Sequence, residues 1–332
     1  MATVTQTTSV VSATLSGGGT QTYLMKDYYA KKTLERAKTV LVHANYGQKK
    51  SIPKGSGKKV EFRRWNIWDP STASTPLTEG VTPDGLALSQ TAVEATVAQY
   101  GAFVQVSDML DLVAIDPVIR DSSEMLGELL GVVIEHVTRD AMNAGGTVQY
   151  AKPSTGTVPT ARNDVAATCL LTVDEIRRAV RTLKKNKARL FHRGGGKGHF
   201  ICICDPDATY DLQNDSMWQD VSKYSDKEQI YDGELGKLFG VVFVESTEGK
   251  VFEGAGANSI DVHSTLVFGA DAYGVIDVGG KGNVQSIIKP HGSAGTADPL
   301  DQRATVGAKV MAYTAKVLND NWIIRIEHAV SE

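Results

Sequence analysis

Cys202 and Cys204, with His192 and His199 nearby, come closest in this chain to residues whose types and spacing could do chemistry. Two thiolates and two imidazoles would make a tetrahedral zinc set. The spacing argues against it. In Phe200-Ile201-Cys202-Ile203-Cys204 the two sulfurs project from one face of an apolar strand, whereas structural zinc sites use a knuckle with two to four intervening residues. Cysteines in such a strand behave as small core side chains. Cys169 has no local His or Asp to activate it as a nucleophile. The remaining histidines (His43, His136, His263, His291 and His328) are scattered among helix, strand and loop patterns.

Phosphate binding is the other chemistry to test, because Gly-rich segments meet Lys twice. Lys54-Gly55-Ser56-Gly57-Lys58-Lys59 lacks the first glycine of a phosphate loop and carries Lys59 where Ser or Thr would hold magnesium. Gly194-Gly195-Gly196-Lys197-Gly198 opens a strand, so no helix N-terminus aims its amides at a phosphate. Both read as turns. The sequence therefore assigns no catalytic residue, no cofactor-binding residue and no metal ligand.

The elements that would position any site are easier to read. Residues 116–144 form a long amphipathic helix, with Leu126, Leu129, Leu130, Val133, Val137 and Ala141 on one face and Glu124, Glu128, Glu135 and Arg139 on another. Asp116-Pro117 supplies its start and Gly145-Gly146 its stop. At 1.5 Å per residue the rod is roughly 40 Å long, which suits a broad, flat subunit. An earlier helical pattern runs from Leu24 to Tyr46. Thr172-Val173-Asp174-Glu175 reads as a capping box opening a helix with Ile176, Ala179, Val180 and Leu183 inward. Short apolar strands at 200–204, 241–244 and 266–269 alternate with helix over 172–275, suggesting a small α/β unit with a mixed sheet. Residues 306–315 and 322–326 read as a C-terminal hairpin turning at Asn319-Asp320-Asn321.

Residues 51–107 are the most informative for function. Val60, Phe62 and Arg64 alternate with Glu61, Arg63 and Trp65, and a second strand runs from about Leu86 to Val106. Between them lies Asp69 to Gly85, whose Pro and Gly content forbids regular structure. The pattern is a two-stranded arm with an irregular tip. Such an arm is marginal alone in water, yet this one carries Phe62, Trp65, Ile67 and Trp68, with Leu77 and Val81 in the tip. Either another chain covers these side chains or the arm folds back over its own body.

Bulk properties bound the rest. The 332 residues exceed one ordinary core. A net charge of -3 gives no reason to expect tight nucleic-acid or membrane binding, and no apolar run approaches a membrane span. Three cysteines cannot build a disulfide framework. The first residues are rich in Thr, Ser and Gly without a secretory signal, and read as an extended arm or a frayed terminus.

Taken in order, these elements resemble the major capsid proteins of tailed bacteriophages with the Hong Kong phage-type fold, and more narrowly the podophage N-four-like group. The resemblance is carried by the Thr/Ser-rich start, by Lys58 to Trp68 leading into the 69–85 loop, and by the helix from Asp116. It is closest from Asp298-Pro299-Leu300-Asp301-Gln302-Arg303 through Lys316-Val317-Leu318-Asn319 to Arg325-Ile326-Glu327. It implies an α+β chain divided into an N-terminal arm (1–23), a helix (24–50), an E-loop (51–107), a peripheral domain with the spine helix (108–171), an axial domain (172–289) and closing peripheral strands (290–332). It further implies self-assembly into hexamers and pentamers of an icosahedral virion shell around double-stranded DNA contacted without sequence readout. The chain would be made in the host cytoplasm with a separate scaffolding protein, a portal and a possible decoration protein. Phe62, Trp65, Ile67, Trp68, Leu77 and Val81 would be the self-association residues. The competing expectation is an oligomeric α/β enzyme or ligand-binding protein using 172–289, which would need a concave pocket of perturbed titratable groups.

Overall fold

The computed structural model describes residues 41–52, 57–66, 68, 79–80, 82, 85–113, 118–153, 156–192, 198–219, 234–276, 284–293 and 298–331. The expected N-terminal arm, most of the 24–46 helix, most of the 69–85 tip, Asp116-Pro117 and the 193–197 turn lie outside the described residues.

In chain order the strands are β1 (Gln48–Lys50), β2 (Lys59–Trp65), β3 (Gln90–Thr96), β4 (Ala98–Ser107), β5 (Thr147–Tyr150), β6 (Phe200–Cys204), β7 (Glu234–Leu238) and β8 (Val241–Glu245). There follow β9 (Lys250–Phe252), β10 (Val262–Phe268), β11 (Tyr273–Ile276), β12 (Val284–Lys289), β13 (Arg303–Tyr313), β14 (Ala315–Val317) and β15 (Ile323–His328). The largest sheet runs β5-β15-β10-β6-β8-β7, with β9 also on β10. It is mixed, since β6 pairs β8 in parallel while β10 pairs β6 and β15 antiparallel.

The apolar runs of β6 and β10 are buried on both faces, as central strands between two covering layers must be. The pleat sends Phe200, Cys202 and Cys204 to one layer, where the helix Val173–Lys185 contributes Ile176, Ala179 and Leu183. It sends Ile201 and Ile203 to the other, beneath Leu126, Leu130, Ile134 and Met142 of the long helix Val118–Ala144. Both sulfurs thus share one face, as expected. Burial pushes the Cys202 thiol well up, away from nucleophilic use.

Four expectations change. The long helix turns differently about its axis: Leu129 is exposed, whereas Glu135, expected on the polar face, is completely buried. The cause is distant in sequence, because Glu135 accepts hydrogen bonds from the backbone amides of Val42 and His43 at 3.0 and 2.6 Å. The second arm strand is divided at Val97, and β3 pairs β2 while β4 joins the separate sheet β12-β13-β4. The capping box is not made. Thr172 is extended but caps nothing with its side chain, Asp215 accepts from the Val173 amide at 2.9 Å, and Glu175 turns inward to Gln149 at 2.7 Å. The C-terminal hairpin is not formed either. The half-alternating β13 pairs β12 and β4, whereas the almost wholly buried β15 enters the largest sheet between β10 and β5.

Candidate assembly interface

The arm is an antiparallel pair in which Lys59 faces Thr96 at the base and Trp65 faces Gln90 at the outer end. Its base is anchored on its own chain. Val60, Phe62 and Ala95 join the core of the long helix. Phe62, 3% exposed, lies against Gly274 of β11; a Cβ at that glycine would sit 2.5 Å from the ring. This departs from the expectation that Phe62 faces a neighbouring subunit, and the absence of a side chain at Gly274 is the reason it can turn inward.

Past Phe62 the arm leaves its own core. Trp65 is 62% exposed and Trp68 48%. The outer end is nevertheless ordered by its own hydrogen bonds. The Asn66 amide donates to the Ser89 carbonyl at 3.0 Å, Thr91 Oγ1 donates to Asn66 Oδ1 at 2.8 Å, and the Trp68 indole donates to the Ala87 carbonyl at 2.9 Å. Ile67, Leu77 and Val81 lie outside the described residues. The arm is thus folded over its own body at the base and open at the outer end.

Other exposed apolar side chains were missed by sequence reasoning. Leu86 and Leu88 flank the same arm, and Phe103 stands out from β4. Met109, Leu110, Leu112 and Val113 are all exposed on the short helix Asp108–Val113, which buries none of its residues. The available signal was the run Asp108-Met109-Leu110-Asp111-Leu112-Val113 itself, too short to be stable alone and too apolar for a solvated loop.

Ionic contacts along the arm are surface ones. Lys59 pairs with Glu94 at 2.7 Å, and that hydrogen bond raises the Lys59 pKa; Arg63 pairs with Glu61 at 2.8 Å and holds the Glu61 carboxyl below its usual range. Screening leaves such pairs little energetic weight.

Elsewhere, one trio among the described residues has metal-ligand types close together: Asp205, Asp207 and His263, with ligand atoms within 4.8 Å of one another. Both Asp205 oxygens already have structural uses. Oδ1 accepts from the Ala208 amide at 3.2 Å, capping the helix Pro206–Asn214, and Oδ2 meets His263 Nδ1. The trio is an ion pair beside a helix cap. No described helix is long and apolar enough to cross a membrane.

Residues 135–287 match a family described as phage capsid protein. The fold matches the capsid of Ralstonia phage GP4 with a TM-score of 0.66 at 15% identity, covering 88% of this chain and 89% of that one. This is the phage capsid fold. The capsid subunit of cyanophage Pam1 matches at TM-score 0.64 and 15% identity over 99% of both chains. That of cyanophage P-SCSP1u matches at TM-score 0.62 and 16% identity, over 87% of this chain and 88% of that. No curated protein matches. The family match is to a phage capsid protein, and neither it nor the fold supports the enzyme or ligand-binding reading of 172–289.

Proposed function

We propose that this chain is the repeating subunit of a tailed-phage icosahedral shell, and that the outer end of the β2–β3 arm is completed by a second copy. The observation carrying the second part is the change along one strand, from Phe62 at 3% exposure to Trp65 at 62%. A chain that seals the base of an arm on itself and leaves two indoles open beyond it has built a contact for another molecule. Each such contact can be modest, because many act together in a closed assembly.

On this reading 51–107 is the E-loop, 172–289 the axial domain, and 108–171 with 290–332 the peripheral domain. Trp65 and Trp68, with Ile67, Leu77 and Val81, are the self-association residues; Phe62 positions them. Hexamers and pentamers close around double-stranded DNA, which a chain of net charge -3 contacts without sequence readout. A separate scaffolding protein and a portal serve assembly in the host cytoplasm. The narrower kinship with the N-four-like group rests on the 298–327 segment.

Sedimentation of the purified protein with negative-stain imaging tests the reading. Shells, tubes or capsomer rings are expected; a compact monomer at every concentration contradicts it.

A further inference from the structure

Between the arm and its own body lies a cleft of about 680 Å³ with a marked charge imbalance. Arg63, Arg64, Lys187 and Arg189 line it, with Asp271 the one carboxylate among its described lining residues; Arg63 is already paired with Glu61 at 2.8 Å and Arg189 with Asp271 at 3.4 Å, which leaves Arg64 and Lys187 as the cations to answer a partner. Its apolar walls are Trp65, Trp68 and Trp322, with Arg189 stacked over Trp322 at 5.8 Å. In a chain whose net charge is -3, a cationic, tryptophan-walled cleft is a specific local feature.

The helix Asp108–Val113 has the opposite character. Six residues are far too few for a helix to hold in water by propensity alone. Among the described residues its own chain supplies the Gln302 carbonyl accepting from the Asp108 amide at 3.0 Å, Asp108 Oδ1 accepting from the Met109 amide at 2.7 Å, the Ser107 hydroxyl accepting from the Leu110 amide at 3.3 Å, and His291 standing 3.9 Å from Asp111. It presents Asp108 and Asp111 among Met109, Leu110, Leu112 and Val113, the last two 80% and 70% exposed. Acidic and apolar groups on the helix therefore answer cationic and aromatic groups in the cleft, and a Met against indoles adds a favourable sulfur–aromatic contact.

The two surfaces sit at opposite ends of one chain run. Trp65 pairs with Gln90 at the start of β3, and Asp108 follows Ser107 at the end of β4. Fully extended, that run spans up to about 60 Å. A contact between unlike patches on two copies is heterologous, and repeating it generates a ring or an open helix of subunits.

We propose that the cleft between arm and body takes the helix Asp108–Val113 of a second copy, as the head-to-tail contact within a capsomer. The proposal rests on the shell reading and names the partner surface for its arm. Association is steered by Arg64 and Lys187 on Asp108 and Asp111, and sealed by Leu112 and Val113 on the indoles.

Cysteine pairing tests it cleanly, because Cys169, Cys202 and Cys204 are all buried. The double variant Trp65→Cys/Leu112→Cys, oxidised after assembly, should give a ladder of covalent multimers on a denaturing gel. Either single variant should give at most dimers. Independently, Asp108→Lys/Asp111→Lys and Arg64→Glu/Lys187→Glu should each lose assembly by at least tenfold while remaining folded by circular dichroism. Their combination in one chain should restore it. Wild-type shells, with no ladder from the double-cysteine variant and charge variants that assemble normally, would overturn the proposal and leave the shell reading standing. A wild type that never assembles would remove both.

Discussion

Glu135 Oε1 lies 2.6 Å from His43 Nδ1, and neither side chain reaches solvent. The same oxygen accepts from the amides of Val42 and His43, and the His43 carbonyl in turn accepts from the Tyr273 hydroxyl. One carboxylate thereby fastens the segment before β1 to the long helix and to β11, the strand on which the arm rests. Glu135 Oε2 has no partner among the described residues, so the site is under-satisfied on one side.

Removing that carboxylate should loosen the whole junction. Glu135→Ala strands a buried imidazole and two amides, and breaking a buried pair in this way costs about 3–5 kcal/mol. The expected result is a lower denaturation midpoint together with protease cutting near residues 41–46. Midpoint and cleavage pattern unchanged from wild type would show that the contact holds nothing.

The Asp205–His263 pair and His328 give stability a pH dependence whose sign can be worked out. Burial opposes the charged form of His263, but its hydrogen bond to Asp205 and the charges of Asp205, Asp207 and Asp261 outweigh this and raise its pKa. Its contribution is complete below the unfolded value of about 6.5 and is lost as pH rises through the folded value. Asp205 likewise keeps its charge against burial, through His263 first and His328 next, so its pKa is lowered. That contribution is present above about pH 4 and lost on acidification. His328, fully buried, has its pKa lowered by burial, so stability falls as pH drops below about 6.5. Stability should therefore peak near pH 6.5. Denaturation midpoints against pH should lose their alkaline decline in His263→Gln and part of their acid decline in His328→Gln; superimposable profiles would refute the assignment.

The arm's anchor makes a separate prediction. Phe62→Ala removes a ring sealed on Gly274, at a cost of about 3–5 kcal/mol for a buried Phe. Gly274→Ala forces the same ring away, with an overpacking cost of about 1–3 kcal/mol. Both should free the arm to protease while the largest sheet keeps its protection against hydrogen exchange. Equal loss of protection throughout would mean the arm is inseparable from the core.

How much was readable beforehand follows the range of the interactions. The long helix, found at Val118–Ala144 against an expected 116–144, and the shared face of Cys202 and Cys204 came from local periodicity. The orientation of that helix did not, because Glu135 is drawn inward by His43, 92 residues away. Glu175 left its capping role for Gln149, 26 residues off, and β15 left β13 for β10. The exposure of Trp65 and Trp68 was legible, since a two-stranded arm has no interior. Phe62 was not, because its inward turn depends on a glycine on a strand more than two hundred residues later.

Exchanging Trp65 and Trp68 for Ser should separate folding from assembly. Both side chains are largely exposed, so monomer stability should stay within about 0.5 kcal/mol of wild type. Shell formation, followed by light scattering, should be abolished. Variants that instead unfold as monomers would place the outer end of the arm in the subunit's own core.

The most direct measurement is a near-atomic image reconstruction of particles assembled from the pure protein. It should show Trp65 and Trp68 covered by a second copy of the chain, with Phe62 still on Gly274 of its own. Particles in which both indoles face solvent or lie beneath their own chain would contradict the account.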